Sequence, residues 1–312
     1  MHKPIRLIRF AALLSLIVAA QCKWALATVV RFQTSSGNID VRMYDTATPN
    51  SVTNFLNYVT SNRYNGTFIH RVPQLPGGAG TANFVVQGGG FLLNNSIFAA
   101  SGIVTDAPIG DEFKISNTPG TLAFAKNSAG ATSQWFFNVG DNSASLDSQG
   151  FTVFGRVLGT GMTTVNTINN LPVVNAASAE NAPGEDFDEV PVRDLNKVIQ
   201  QQDITSNEAV MVNVVVLNYK AGDYDFNGTV NAADYSVWRN SYGSTTNPAA
   251  DGNGDGVVDM RDYVVWRNTL GQTGGPGAGA GSLFDNGSVP EPSCAMLVSG
   301  LILCCCRRSR AR

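Results

Sequence analysis

From residue 28 onward the apolar positions come in short runs separated by Gly, Asn and Ser. Val29–Phe32 and Ile39–Met43 read as two strands joined by a turn at Ser35-Ser36-Gly37-Asn38. Thr48-Pro49 reads as an N-cap followed by proline at the first helical position. The helix it opens places Val52, Phe55, Leu56 and Val59 on one face. Further strands are predicted over Thr67–Val72, Phe84–Gln87, Thr121–Ala125, Trp135–Val139 and Phe151–Val157. Met162–Ile168 has helical spacing, and Met211–Leu217 reads as the last strand. Residues 171–209 show no clear period. Many short strands between glycine-rich turns predict a closed antiparallel barrel.

A second pattern follows. DYDFNGTVNAADYSVWRNSYG, from Asp223, recurs as DGNGDGVVDMRDYVVWRNTLG from Asp251, with ten of 21 positions identical. After it comes a Gly/Ala-rich stretch, and then an apolar segment, Ser293–Cys306, ending in Arg307, Arg308, Arg310 and Arg312. The division this suggests is 1–27, 28–219, 220–272, 273–288 and 289–312.

Composition sharpens the division. Residues 1–27 carry Lys3, Arg6 and Arg9, then the apolar run 11–20, then Ala25-Leu26-Ala27. That order predicts a secretory signal peptide cleaved before Thr28. The five cysteines are Cys22, Cys294, Cys304, Cys305 and Cys306, so residues 28–292 contain none. His70 is the only histidine after His2. Thiol catalysis, disulfides, zinc sites and Ser-His-Asp chemistry are thereby excluded from the body. Of the 21 basic and 24 acidic residues, 13 basic and all 24 acidic ones lie in 28–292, a net of about −11. So acidic a body does not suit a phosphate backbone, and nucleic acid is not an expected partner.

Within the body one cation stands out. Arg71 sits between apolar residues in YNGTFIHRV, and an apolar run then leads to Gln87 and three glycines in NFVVQGGGF. A guanidinium keeps its charge, so half-burying it requires a target. These blocks, with TSQWFFNVGDN (Thr132–Asn142), FTVFGRV (Phe151–Val157) and GNIDVRMYDTATPNSVTNFLNYV (Gly37–Val59), resemble the cyclophilin family of peptidyl-prolyl cis/trans isomerases. The resemblance covers most of 28–217. It implies a mainly β fold, an eight-stranded closed antiparallel barrel capped by two helices. It implies Arg71 as the catalytic arginine, with Gln87 orienting it. Phe84, Val85, Phe136 and Leu146 would line the proline pocket, and Gln87 and Gln134 would hold the substrate backbone. Lys126 stands where the family uses a backbone contact of an asparagine. Gln74–Ala82 reads as an insertion, Val85 replaces a methionine, Ser145 replaces a pocket-edge aromatic, and a pocket histidine is lost near Gly150–Phe151. His70 is expected to pack beneath the site. The substrates expected are proline-containing segments of exported proteins, with no cofactor in the reaction. The rival reading is a barrel that grips proline peptides as a scaffold without turnover.

In the repeat, Asp223, Asp225, Asn227, Gly228, Asn231 and Asp234 fall at positions 1, 3, 5, 6, 9 and 12 of a loop. Asp251, Asn253, Asp255, Gly256, Asp259 and Asp262 do the same. Hard oxygen ligands at these offsets, with position-7 carbonyls from Thr229 and Val257, suit calcium, and glycine suits the sharp turn. The helix after each loop gives a small α-helical paired-loop domain. The duplicated pattern resembles a type I dockerin, which implies a cohesin as partner. Ala232-Ala233 and Met260-Arg261 stand where a Ser-Thr pair is common, so a calcium-clamped spacer stays open beside docking. Val289-Pro-Glu-Pro292 with the apolar stretch and arginines resembles a PEP-CTERM sorting signal. That implies export to the cell envelope with transient anchoring; a simple membrane tail anchor is the alternative.

Overall fold

In the computed structural model, residues 28–73, 82–176, 187–217, 219–245, 248–254 and 256–273 are described below. The expected signal peptide, Gln74–Gly80 and Thr81 of the insertion, Asp255, all but the first residue of the linker, and the sorting segment lie outside them.

The strands are β1 (Val29–Thr34), β2 (Gly37–Met43), β3 (Thr67–Phe68), β4 (Val85–Gly88), β5 (Phe91–Leu92), β6 (Ser101–Gly102), β7 (Thr121–Asn127), β8 (Gly130–Asn138), β9 (Val153–Val157), β10 (Val173–Val174), β11 (Val190–Pro191) and β12 (Met211–Leu217). Ten of them form one antiparallel curled sheet in the order β4-β8-β7-β9-β2-β1-β12-β3-β5-β6. The expected count was eight; the short β5 and β6 extend the far edge. A bridge between Arg71 and Gln87 joins the chain after β3 to β4, at the opposite end of that order. The turn between β1 and β2 is tighter than expected. Thr34 already pairs with Gly37, whose φ of +130° suits glycine.

The helices are α1 (Pro49–Thr60), α2 (Ser143–Leu146), α3 (Gly161–Asn169), α4 (Leu195–Gln201), α5 (Ala232–Ser241) and α6 (Met260–Thr269). Helix α1 buries Val52, Phe55 and Val59 against the sheet, with Leu56 half-buried beside them. Thr48 occupies its N-cap position without capping it, since its hydroxyl donates to the Tyr44 carbonyl at 3.4 Å. The cap comes from a distant carboxylate. Glu112 accepts from the Ser51 amide at 2.7 Å, the Ser51 hydroxyl at 2.8 Å and the Asn50 amide at 3.3 Å. Negative charge there also suits the helix dipole.

Strand alternation separates two environments. One face of β7, β8 and β9 supplies Leu122, Phe124, Trp135, Phe137 and Phe154 to the main core. Phe32 meets Trp135 and Phe137 edge-on, with centroids 4.8 and 5.1 Å away. The other face carries a smaller cluster of Tyr44, Val85, Ala123, Phe136, Leu146 and Val153. The described residues within 171–209, a stretch opaque in the sequence, help build a third cluster. In it Phe187, Val190, Val192 and Ile204 pack with Phe68 and Phe91.

Candidate active site

Register explains how the site assembles. Gln87 on β4 lies opposite Phe136 on β8, and Val85 opposite Asn138. Residues two apart share a face, so Val85, Gln87, Gln134 and Phe136 project together, away from the main core. The bridge places Arg71 beside Gln87, with the Gln87 amide donating to the Arg71 carbonyl at 3.0 Å. Phe84 precedes the strand and escapes its alternation. It joins Val85, Phe136 and Leu146 in the smaller apolar cluster, with Ala125 and Phe151 at the margin. Across the expected insertion, the Ala82 amide donates to the Pro73 carbonyl at 3.0 Å.

The polar groups form a string. Arg71 Nη1 lies 3.5 Å from Gln87 Oε1, and Gln87 Nε2 donates to Gln134 Oε1 at 2.8 Å. Gln87 and Gln134 also line a polar recess of 190 Å3 with Lys126, Asn127 and Thr132. Gly90 makes room for this string, since a Cβ there would stand 2.8 Å from Gln134, whereas one on Gly89, whose φ is +83°, would stand 2.4 Å from the indole nitrogen of Trp135 in the main core.

Two neighbours need comment. The Lys126 ammonium is drawn aside, donating to Asp111 at 2.5 Å and to the Gln149 carbonyl at 2.6 Å, 5.3 Å from the Phe151 ring centre. Its side chain is therefore part of the wall. A β-bulge between Phe124 and Lys126 takes Ala125 out of register at the same place. His70 is buried and edge-on to Phe91, with ring centres 5.0 Å apart. Burial, and then the Arg71 charge, push its pKa down to about 3. It packs beneath the site as a neutral ring.

Phe151, in the Gly150–Phe151 stretch where the resemblance lacks a pocket histidine, lies edge-on to Phe136 with ring centres 6.0 Å apart. Sequence reasoning missed one residue here. Glu189 pairs with Arg71, Nε to Oε2 at 3.5 Å. No periodic signal in 171–209 marked it.

Residues 29–191, just over half of the chain, match the family described as cyclophilin type peptidyl-prolyl cis-trans isomerase/CLD. The chain belongs to that family. A peptidyl-prolyl cis-trans isomerase of Acinetobacter baylyi is 42% identical over 163 residues, covering 50% of this chain and 79% of the relative. Peptidyl-prolyl cis-trans isomerase A of Dickeya dadantii is 37% identical, covering 51% and 80%. Isomerase B of Escherichia coli is 34% identical, covering 51% and 94%. A crystal structure of a Cryptosporidium parvum cyclophilin, obtained in the presence of the dipeptide ala-pro, aligns over 60% of this chain and 98% of its own, with a TM-score of 0.40 and 20% identity. The cyclophilin part of this chain is thus a peptidyl-prolyl cis-trans isomerase. It extends past the matched segment, because β12 pairs with β1 along its whole length.

Residues 221–273 match the type I dockerin domain. Here each loop hands over to a helix through a capping box, Asn231 with Asp234 and Asp259 with Asp262. Gly228 and Gly256 both have φ of +88°, as the sharp turn demands. The two repeats clasp reciprocally. Trp238 Nε1 donates to the Asp259 carbonyl and Trp266 Nε1 to the Asn231 carbonyl, each at 2.8 Å.

The first loop fits a cation. Oxygens of Asp223, Asp225 and Asp234 all lie within 4.8 Å of one another. Burial, then the charges of Asp234 and Asp225, raise the Asp223 pKa to about 6. Of the predicted first-loop ligands, these three carboxylates are brought together, while the Asn227 and Asn231 amide oxygens accept from the Thr229 amide at 2.8 Å and the Ala233 amide at 2.7 Å. In the second loop Asp251 accepts from the Gly254 and Gly256 amides, both at 2.9 Å, and Asp262 accepts from the Asn253 amide at 3.1 Å. Asp259 is held by Arg261 at 2.7 Å, and Val257 is exposed.

Proposed function

We propose that Arg71 is the catalytic residue and that the outward face of β4 and β8 binds the X-Pro segment. Rotation about this bond faces a barrier of roughly 18–20 kcal/mol, because amide resonance must be broken. In the twisted amide the proline nitrogen gains a lone pair, to which a fixed guanidinium donates. Phe84, Val85, Phe136 and Leu146 take the pyrrolidine ring in apolar surroundings, where the less polar twisted form is favoured. Gln87 and Gln134 hold the substrate backbone. A 10⁴-fold acceleration needs roughly 5–6 kcal/mol, whereas one charge-assisted hydrogen bond supplies about 1.5–3 kcal/mol. The pocket and backbone contacts therefore contribute the larger share. The observation carrying this reading is the Arg71–Gln87–Gln134 string beside the apolar cluster. In an Xaa-Pro peptide isomerisation assay, Arg71→Ala and Phe136→Ala should each lower kcat/KM; variants as active as the parent would show that neither side chain carries the reaction.

We read the curled sheet as a closed barrel, on the strength of the bridge that joins the chain after β3 to the edge strand β4. We read the repeat as a calcium-binding module. Asp223, Asp225, Asn227, Asn231 and Asp234 would hold one ion with the Thr229 carbonyl; Asp251, Asn253, Asp255, Asp259 and Asp262 would hold a second with the Val257 carbonyl. Calcium would fix the loop backbone and neutralise the crowded carboxylates, taking no part in isomerisation. A cohesin-like partner is the expected binder of such a module. The basic-then-apolar start, the small-residue cleavage pattern and the Val-Pro-Glu-Pro tail support export to the envelope, with clients among exported proteins and anchoring through the tail.

A further inference from the structure

We propose that Glu189 is a positioning residue for Arg71, an inference that rests on the reading of Arg71 as catalytic. An arginine has four rotatable side-chain bonds, and Arg71 is 35% exposed, so the apolar surroundings do not fix it alone. Gln87 reaches Nη1 at only 3.5 Å, the limit of a hydrogen bond. Glu189 approaches from the other side, its Oε2 3.5 Å from Nε. With an ion pair at Nε and a long hydrogen bond at Nη1, each at 3.5 Å, the guanidinium lies between two groups on different segments.

The carboxylate rests on a rigid base. The Val72 amide donates to the Glu189 carbonyl at 2.9 Å, which fixes the segment next to the arginine. Phe187, Val190 and Val192 around it are fully buried, with Phe187 5.0 Å from Phe91 between ring centres. Val190 pairs with Val174 across the two-stranded ribbon, and the Val192 amide donates to the Pro172 carbonyl at 2.9 Å. The stretch after α3 thus delivers one acid to the isomerase site.

Two effects of this acid oppose each other. A counter-ion reduces the field the guanidinium presents to the proline nitrogen. It also removes rotameric freedom that substrate binding would otherwise have to freeze. The pair is partly solvated, where Coulomb terms are weak. Ordering a long side chain in advance is the larger effect. Glu189 therefore assists turnover.

The test uses the full chain. Glu189→Gln keeps shape and removes charge. It should lower kcat about three- to ten-fold with KM nearly constant and the melting midpoint unchanged. Glu189→Asp should recover part of the loss. The Arg71 Nε–H resonance, assigned by its disappearance in Arg71→Lys, should shift in Glu189→Gln. A Glu189→Gln rate equal to or above the parent's, or an unmoved Nε–H resonance, overturns the inference. If Arg71→Ala is inactive in the same assay, the reading of Arg71 stands regardless; if Arg71→Ala matches the parent, that reading has failed first.

Discussion

At the scale of single residues, the site sets one cation, Arg71, beside an apolar cluster and a neutral histidine. The histidine is His70. With its pKa near 3 it is neutral at every pH where the enzyme would work, so kcat/KM should show no inflection near pH 6.5. A profile with such an inflection would show that His70 titrates in the native state. The same shift has a stability consequence. An unfolded histidine takes a proton at about pH 6.5, before the native one does, so His70 withdraws stability as pH falls from about 6.5 toward 3. Gly89 makes a different point. Its φ of +83° and the 2.4 Å clash that a Cβ would make with Trp135 predict a loss of about 1–3 kcal/mol for Gly89→Ala, measurable as a lower denaturant midpoint. A variant as stable as the parent would mean that the glycine run has another purpose.

At the scale of elements, the sequence was readable where one period held and opaque where contacts were distant. The strands around Val29, Thr121 and Met211 and the faces of α1 and α3 follow from alternation and helical spacing. The cap of α1 does not. Thr48 has the right chemistry at the right place, yet Glu112, 61 residues beyond Ser51, does the work. Nothing local announces such a pairing. The same holds for Glu189, whose segment has neither period, and for β5 and β6, too short to show one. That Arg71, Gln87, Gln134, Phe136 and Leu146 belong in one candidate site is legible because a lone arginine among apolar residues is chemically costly and the surrounding blocks resemble one family; the fold brings them to one face. Glu112 also carries a prediction. Burial opposes its ionisation, but bonds from Ser51 and Asn50 outweigh it and lower its pKa. Its contribution is therefore present above the ordinary carboxylate range and lost as pH falls through the depressed native value. Glu112→Gln should cost about 0.5–2 kcal/mol near neutral pH and flatten that acid limb. An unchanged limb in thermal melts would place the acid sensitivity elsewhere.

At the scale of the whole molecule, the dockerin-type module and the isomerase part meet through named contacts. Arg42, buried on β2, donates to the Asp251 carbonyl of the second loop, and Thr46 Oγ1 donates to the Gly254 carbonyl at 3.1 Å. Calorimetric titration of the full chain should show two calcium ions bound, and Asp223→Ala should leave one. A titration with no heat and no stoichiometry would remove calcium from the account. The proposed mechanism requires one arginine to stabilise a twisted amide more than a planar one. The most direct measurement is cis/trans exchange of a single proline peptide followed by NMR, together with its affinity, for the full chain and for Arg71→Ala. The account predicts that exchange falls by about ten-fold or more while affinity changes far less. Exchange as fast in Arg71→Ala as in the parent, at equal occupancy, would contradict it.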